Sequence, residues 1–177
     1  MIKFVLALLF LSSNALAIEV SPGPDRNCFP IPGATITVAS ATQASAGIAS
    51  LAHIILPANT LDRDGDRIYV TAIATFTATN QVKDFDIMLD SNTLTGANAT
   101  STRTSGFNEA TIVRRYGSVL AYWGRNDIGG ANVEASIGTL SINTASAMTL
   151  TTKASSAAGL FADVTQLYFT AVKCPAP

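Results

Sequence analysis

Three carboxylates fall within five residues at Asp62-Arg63-Asp64-Gly65-Asp66, and oxygen ligands at that density are what a calcium ion requires. The spacing does not follow the EF-hand pattern. That loop needs glycine at its sixth place and an acid at its twelfth, whereas here Gly65 is fourth and the twelfth residue is Ile73. Asp62, Asp64 and Asp66 are metal candidates by residue type only, and a charged turn is the expectation, with no metal or other cofactor. Asp84 and Asp86 offer a carboxylate pair of the kind used in acid/base chemistry. A water-facing strand surface is the expected reading of them, because one face of an antiparallel sheet is normally solvated. His53 is the single histidine, with Ser50 near it, yet the chain contains no G-x-S-x-G turn to hold a nucleophile. Catalysis is not expected.

Tyr122 and Trp123 are the aromatic pair best suited to touch a ligand, since aromatic faces hold sugars by stacking and C–H contacts. Because they are adjacent in a strand pattern, one points outward and the other enters the core. Cys28 and Cys174 are the only cysteines, one near each end of the chain. In an oxidising compartment they are expected to form a disulfide that closes nearly the whole domain; in a reducing one they would be buried thiols.

The elements that must position these residues read as strands. Ile68, Val70, Ala72, Ala74, Phe76 and Ala78 alternate with Tyr69, Thr71, Ile73, Thr75 and Thr77, a period of 2 that sends successive side chains to opposite sheet faces. Pro57 ends the preceding strand, and Asp64-Gly65 supplies the positive φ of a tight hairpin turn between the two. Lys83 to Asp90 puts Phe85, Ile87 and Leu89 on one face, with Asp84, Asp86 and Asp90 on the other. Further strands are expected over 35–38, 48–56, 109–115, 119–123, 133–142, 147–153 and 164–173. Exposed loops are expected over 92–106 and 126–132, and a small-residue connection over 154–159. No helical period follows Ala17, so an all-β antiparallel sandwich is expected over residues 34–177. The cysteines lie at the chain ends and do not flank a strand tryptophan, which favours a jelly roll over an immunoglobulin sandwich.

The first 17 residues resemble a secretory signal peptide: one lysine, an apolar run from Phe4 to Leu11, and Ala15-Leu16-Ala17 at the cleavage positions. The run is too short for a permanent membrane span, which takes about 20 residues. Residues 18–33 hold four prolines and read as an extended arm. Charged residues are only 13% of the chain, with 11 basic against 12 acidic, and no basic cluster suits nucleic acid. An exported protein, secreted, periplasmic or surface-displayed, is the expectation.

The segments LAHIILPANTL, GDRIYVTAIATF, VKDFDIMLD, EATIVRRYG and VTQLYFTAVK follow an order that resembles small jelly-roll modules of tailed-phage virions, over about residues 51–172. The resemblance implies a non-catalytic decoration, fibre or tail-surface part, often a homotrimer, whose partners are virion or cell-surface components. The exported carbohydrate-binding or adhesion domain is the alternative, with a glycan as partner. The alternating run from Tyr69 to Thr77 adds a reason to expect self-association: its threonine-rich face carries Ile73 and little charge, as a contact surface does.

Overall fold

The computed structural model describes residues 28–39, 47–76, 81–96, 98–101, 104–129, 133–156 and 164–176; residues 1–17, expected to be a signal peptide, and residues 18–27 of the expected arm lie outside them. Among these residues are eleven strands: β1 (Phe29–Ala39), β2 (Gly47–Leu56), β3 (Arg67–Phe76), β4 (Gln81–Leu89), β5 (Asn92–Thr95), β6 (Asn98–Ser101), β7 (Ser105–Tyr116), β8 (Val119–Ile128), β9 (Val133–Ser141), β10 (Met148–Ser156) and β11 (Val164–Cys174). The alternation in β3 holds over Arg67–Phe76 except at Thr71, which is buried on the opposite face, and Thr77 and Ala78 lie outside the described residues. Ile68, Val70, Ala72, Ala74 and Phe76 are buried, while Tyr69, Ile73 and Thr75 are half-covered on the opposite face.

Two antiparallel sheets enclose the core, one in the order β1-β11-β3-β7-β8-β9 and the other β2-β10-β4-β5, with β6 also on β4. The first strand pairs with the last, and the second with the penultimate. That nested pairing is the jelly-roll topology, a long antiparallel ribbon wrapped into two facing sheets. Strands β8 and β9 extend the larger sheet beyond it. Between the sheets lie Leu56, Ile68, Phe85, Leu89, Ile112 and Phe169, none with measurable exposure.

The connection from Leu56 to Arg67 is not the hairpin that Asp64-Gly65 suggests. β2 pairs with β10 while β3 pairs with β11 and β7, so the chain passes from one sheet to the other there. Gly65 does take a positive φ of 93°, but within a crossover longer than a hairpin loop. The expected loop over 92–106 is largely strand: β5, β6 and the start of β7. Strands of four residues need few apolar side chains, and Leu94 with Thr95 suffices to seat β5. The expected loop from Asn126 likewise begins as strand, because β8 runs on to Ile128. β10 extends to Ser156, into the expected connection. Asp90 leaves the β4 face for a turn at φ 52°. The proline arm ends as strand: β1 is an edge strand, paired with β11 alone, where Pro30 and Pro32 cost no interior ladder bond.

Two asparagines tie the sheets together. Asn108 on β7 and Asn126 on β8 are register partners that face inward, fully buried, and both side-chain amides donate to the Phe85 carbonyl of β4. β4 pairs with β6 at Asp84 and with β5 at Ile87, and Phe85 lies between those contacts. The amides thus reach the smaller sheet where one of its edges changes partner.

Candidate functional site

The acidic turn is an internal clamp. Asp66 is 1% exposed; its Oδ2 accepts the backbone N–H groups of Asp62 and Arg63 at 3.2 and 3.1 Å, and its Oδ1 accepts that of Ala176 at 3.0 Å. The Lys173 ammonium sits 3.0 Å from Asp62 and 3.4 Å from Asp66, and Arg114 lies 3.4 Å from Asp64. The hydrogen bond from Lys173, reinforced by Asp66, holds the Asp62 carboxyl down to about 2. Asp62 and Asp66 therefore share the Lys173 ammonium, while Asp64 turns to Arg114. A turn that looks like a metal loop in sequence is, in space, the anchor for the C-terminal strand.

Asp84 and Asp86 lie on the outer face of β4, away from the core, with Lys153 of β10 opposite Asp86. Burial, then repulsion from Asp84, pushes the Asp86 carboxyl from 3.8 up to about 6, against the pull of Lys153. A folded-state value above the unfolded one means that the native state favours the proton. Stability is then greatest below about pH 4 as far as this group is concerned, and declines as pH rises through about 6. The linkage amounts to roughly 3 kcal/mol in full, and on the order of 1 to 2 after allowing for partial solvation. Asp86→Asn is expected to raise the melting temperature by several degrees near neutral pH and to flatten the profile between about pH 4 and 7. Thermal melts across that range check it; a variant that melts in parallel with the parent at every pH contradicts it.

His53 and Ser50 are exposed on β2, opposite Thr151 and Lys153 respectively. No described Asp or Glu stands opposite either in the β2–β10 register. Lys83 shares the inward parity of Phe85 and Ile87, a position where the strand pattern calls for an apolar side chain. It is fully buried, its ammonium 5.9 Å from the centre of the Phe76 ring, and desolvation lowers its pKa.

The aromatic pair divides as the alternation requires. Tyr122 turns inward, where its ring lies against Gly138 of β9; a β-carbon at 138 would meet the Tyr122 hydroxyl at 2.6 Å. Trp123 points out and is 40% exposed, on a strand hydrogen-bonded on both sides, between Thr111 of β7 and Ile137 of β9. The next residue, Gly124, lets β5 approach: any side chain there would run into the Leu94 carbonyl and the Thr95 methyl. Trp123 is thus held on an interior strand braced from behind. Beside it the outer face forms an open depression of about 340 Å³. Trp123, Arg67, Arg115, Thr111, Val113 and Ala121 line it, and the largely inward Tyr122 also contributes to its wall. Such a surface offers an aromatic face, a hydroxyl and two guanidiniums, which can hold a polar ligand but contains no nucleophile and base within reach of each other.

The fold defines an antiparallel jelly-roll β-sandwich. No family model matches the chain, and a search of curated proteins finds no match. Among solved structures, the chain is similar to the CBM2 module of Lactobacillus casei BL23 phage J-1 evolved Dit, with TM-score 0.38 and 10% identity over 71% of this chain and 70% of that one. It is also similar to peanut lectin with a 9mer peptide, with TM-score 0.38 and 7% identity over 86% of this chain and 93% of that one. What the Trp123 face can hold follows from its own side chains.

Cys28 and Cys174 are joined by a disulfide that ties the residue before β1 to the end of β11. No helix among the described residues is long and apolar enough to cross a membrane.

Proposed function

We propose that this chain is an exported, non-catalytic binding module that holds a glycan on the outer face of its larger sheet, and so serves adhesion at a surface. One observation carries the proposal: Trp123, 40% exposed on a rigid interior strand, borders a depression flanked by Arg67 and Arg115. A flat indole face binds the C–H side of a pyranose, and the surrounding guanidiniums and the Thr111 hydroxyl supply hydrogen bonds to its oxygens. The volume lies at the lower end of the roughly 300–1,000 Å³ typical of small-ligand sites, which suits one or two sugar rings of a longer polymer. The disulfide supports work in an oxidising compartment, and the leader over residues 1–17 would take the chain there. Retention on immobilised polysaccharide tests the proposal. Trp123→Ala is expected to weaken binding by about 2 kcal/mol, roughly thirtyfold, as loss of a central aromatic anchor does. A variant retained as well as the parent contradicts it.

A second reading, a homotrimeric surface part of a virion or cell envelope, draws on a different residue from the one first expected. Thr71 on the outer face of β3 is only 8% exposed and Ile73 is half-covered, so that face is less open than its composition suggests. Ile137 on the edge strand β9 is 80% exposed. Apolar exposure on an unpaired sheet edge is a contact surface for another copy. Light scattering at micromolar concentration is expected to give a trimer mass that falls to a monomer with Ile137→Lys; a monomer mass for the parent contradicts this reading.

A further inference from the structure

A neutral band crosses the larger sheet at Trp123. Pro30 of β1 pairs with Val172 of β11, Val172 with Tyr69 of β3, Tyr69 with Thr111 of β7, Thr111 with Trp123 of β8, and Trp123 with Ile137 of β9. Residues directly opposite each other in a sheet share a face, and the exposure of Trp123 and Ile137 makes that face the outer one. None of the six side chains is charged, and all are exposed or half-exposed. The charges beside the band are engaged: Arg125 lies 3.9 Å from Glu109 and from Asp127, and Arg67 has an interaction of its own. Arg115 stands four residues along β7 from Thr111, roughly 13 Å away at the rise of an extended strand.

Resting on the glycan reading above, we infer that the ligand is an uncharged polysaccharide in extended conformation, held along an internal stretch with its chain running across the strands. Neighbouring strands lie about 4.8 Å apart, close to the advance of one pyranose in an extended β-linked chain, so successive rings meet successive strands. Six strands give a band of roughly 24 Å. Trp123 is its anchor, Tyr69 and Ile137 cover the C–H faces of rings to either side, and Thr111 offers a hydroxyl between Tyr69 and Trp123. Each ring that lands on the band removes apolar surface from water, so affinity grows with chain length until the band is covered. β1 and β9 are the edges of the sheet, so a long chain can run past both ends. A carboxylate on the chain would lose water over this band with no cation facing it, which selects an uncharged polymer.

Calorimetry with soluble cello- and chito-oligosaccharides of increasing length tests the inference, with malto-oligosaccharides, which coil, as the comparator. Affinity for the extended chains is expected to rise about tenfold from two rings to five, to level off beyond about six, and to hold as salt is raised. Ile137→Ser, at a position 80% exposed, and Tyr69→Ala are each expected to lower affinity for the five-ring ligand about threefold to fivefold. Ile55→Ser, also a loss of an exposed apolar side chain but on β2 of the other sheet, is expected to change nothing. If Tyr69→Ala does not fold, Ile137→Ser decides. Equal affinity at two rings and five, abolished by Trp123→Ala, overturns the extended band and leaves the glycan reading standing, as does binding of the coiled chains alone. Five-ring binding that is untouched by Ile137→Ser, or that it weakens only together with a fall in light-scattering mass, overturns the band too, and so does affinity that collapses in salt. Binding of none of these saccharides overturns both.

Discussion

Reduction of the Cys28–Cys174 bond is expected to destabilise the protein by about 3 to 5 kcal/mol, with no change in the native sheet order. The bond joins positions 146 apart, so it closes almost the entire described chain into one loop. Cys28 precedes β1 and Cys174 ends β11, two strands that are already adjacent, with Phe29 opposite Lys173. The native state therefore has these ends together with or without the bond. Its main action is on the unfolded chain, whose freedom it removes, and the chain-entropy relation gives about 5 kcal/mol for a loop of this size. Urea unfolding with and without reductant, and of the Cys28→Ser/Cys174→Ser double variant, checks the figure. Superimposable unfolding curves, or two free thiols in protein from an oxidising compartment, contradict it.

Asp66→Ala is expected to cost about 3 to 5 kcal/mol, comparable with the loss of the disulfide. Three backbone N–H groups and the Lys173 ammonium converge on this one buried carboxylate. Alanine leaves the three backbone donors without their acceptor and Lys173 with Asp62 alone, and an unpaired, partly buried donor costs more than the hydrogen bond itself contributed. The damage also spreads along the chain. The Asp66 backbone carbonyl accepts from Arg114, the Gly65 N–H donates to the Arg114 carbonyl, and the Arg114 guanidinium reaches the Leu61 carbonyl at 2.7 Å. The turn thereby fastens β7 and the C-terminal segment to the β2–β3 crossover. Asp66→Asn keeps the shape and one acceptor oxygen, so a smaller loss is expected from it. Denaturant unfolding of the two variants checks the order; an Asp66→Ala loss below about 1 kcal/mol contradicts a clamp at this position.

Those two anchors also show which parts of the structure could be read in advance. The strand pattern from Ile68 to Phe76 was plain because one face of β3 is core and the other is not, so burial writes itself into every second residue. The cysteine pairing was readable for a different reason: only two cysteines exist. The acidic turn was visible as a charged turn, but not as a clamp, because Lys173 and Ala176 come from more than a hundred residues away and leave no local trace. Short strands were lost for want of material. β5 and β6 have four residues each, too few to establish a period, and their hydrogen bonding comes from β4.

The site was half legible. Alternation required that one of Tyr122 and Trp123 face out, without saying which. The choice is made by two glycines: Gly138 of the neighbouring β9 leaves room for the Tyr122 ring inside, and Gly124 of β8 itself seats that strand against β5. Arg67 and Arg115 belong to the Trp123 neighbourhood only through the register of β3, β7 and β8, which no local pattern reveals. Asn108, Asn126 and Lys83 are polar residues at inward positions, where alternation predicts apolar ones. Asn108 and Asn126 are retained through bonds to the facing sheet, and Lys83 lies near the Phe76 ring.

Trp123 is the only tryptophan in the chain, so its fluorescence reports on the proposed glycan face without labelling or substitution. Titration of the folded, disulfide-bonded protein with soluble oligosaccharides of a polysaccharide that retains it is the most direct measurement. A sugar ring stacked on the indole removes water from a side chain that is 40% exposed, and the emission is predicted to shift to the blue and to saturate with ligand. Binding detected by calorimetry with the tryptophan emission unchanged, or no binding of any saccharide tested, would contradict a glycan platform at Trp123.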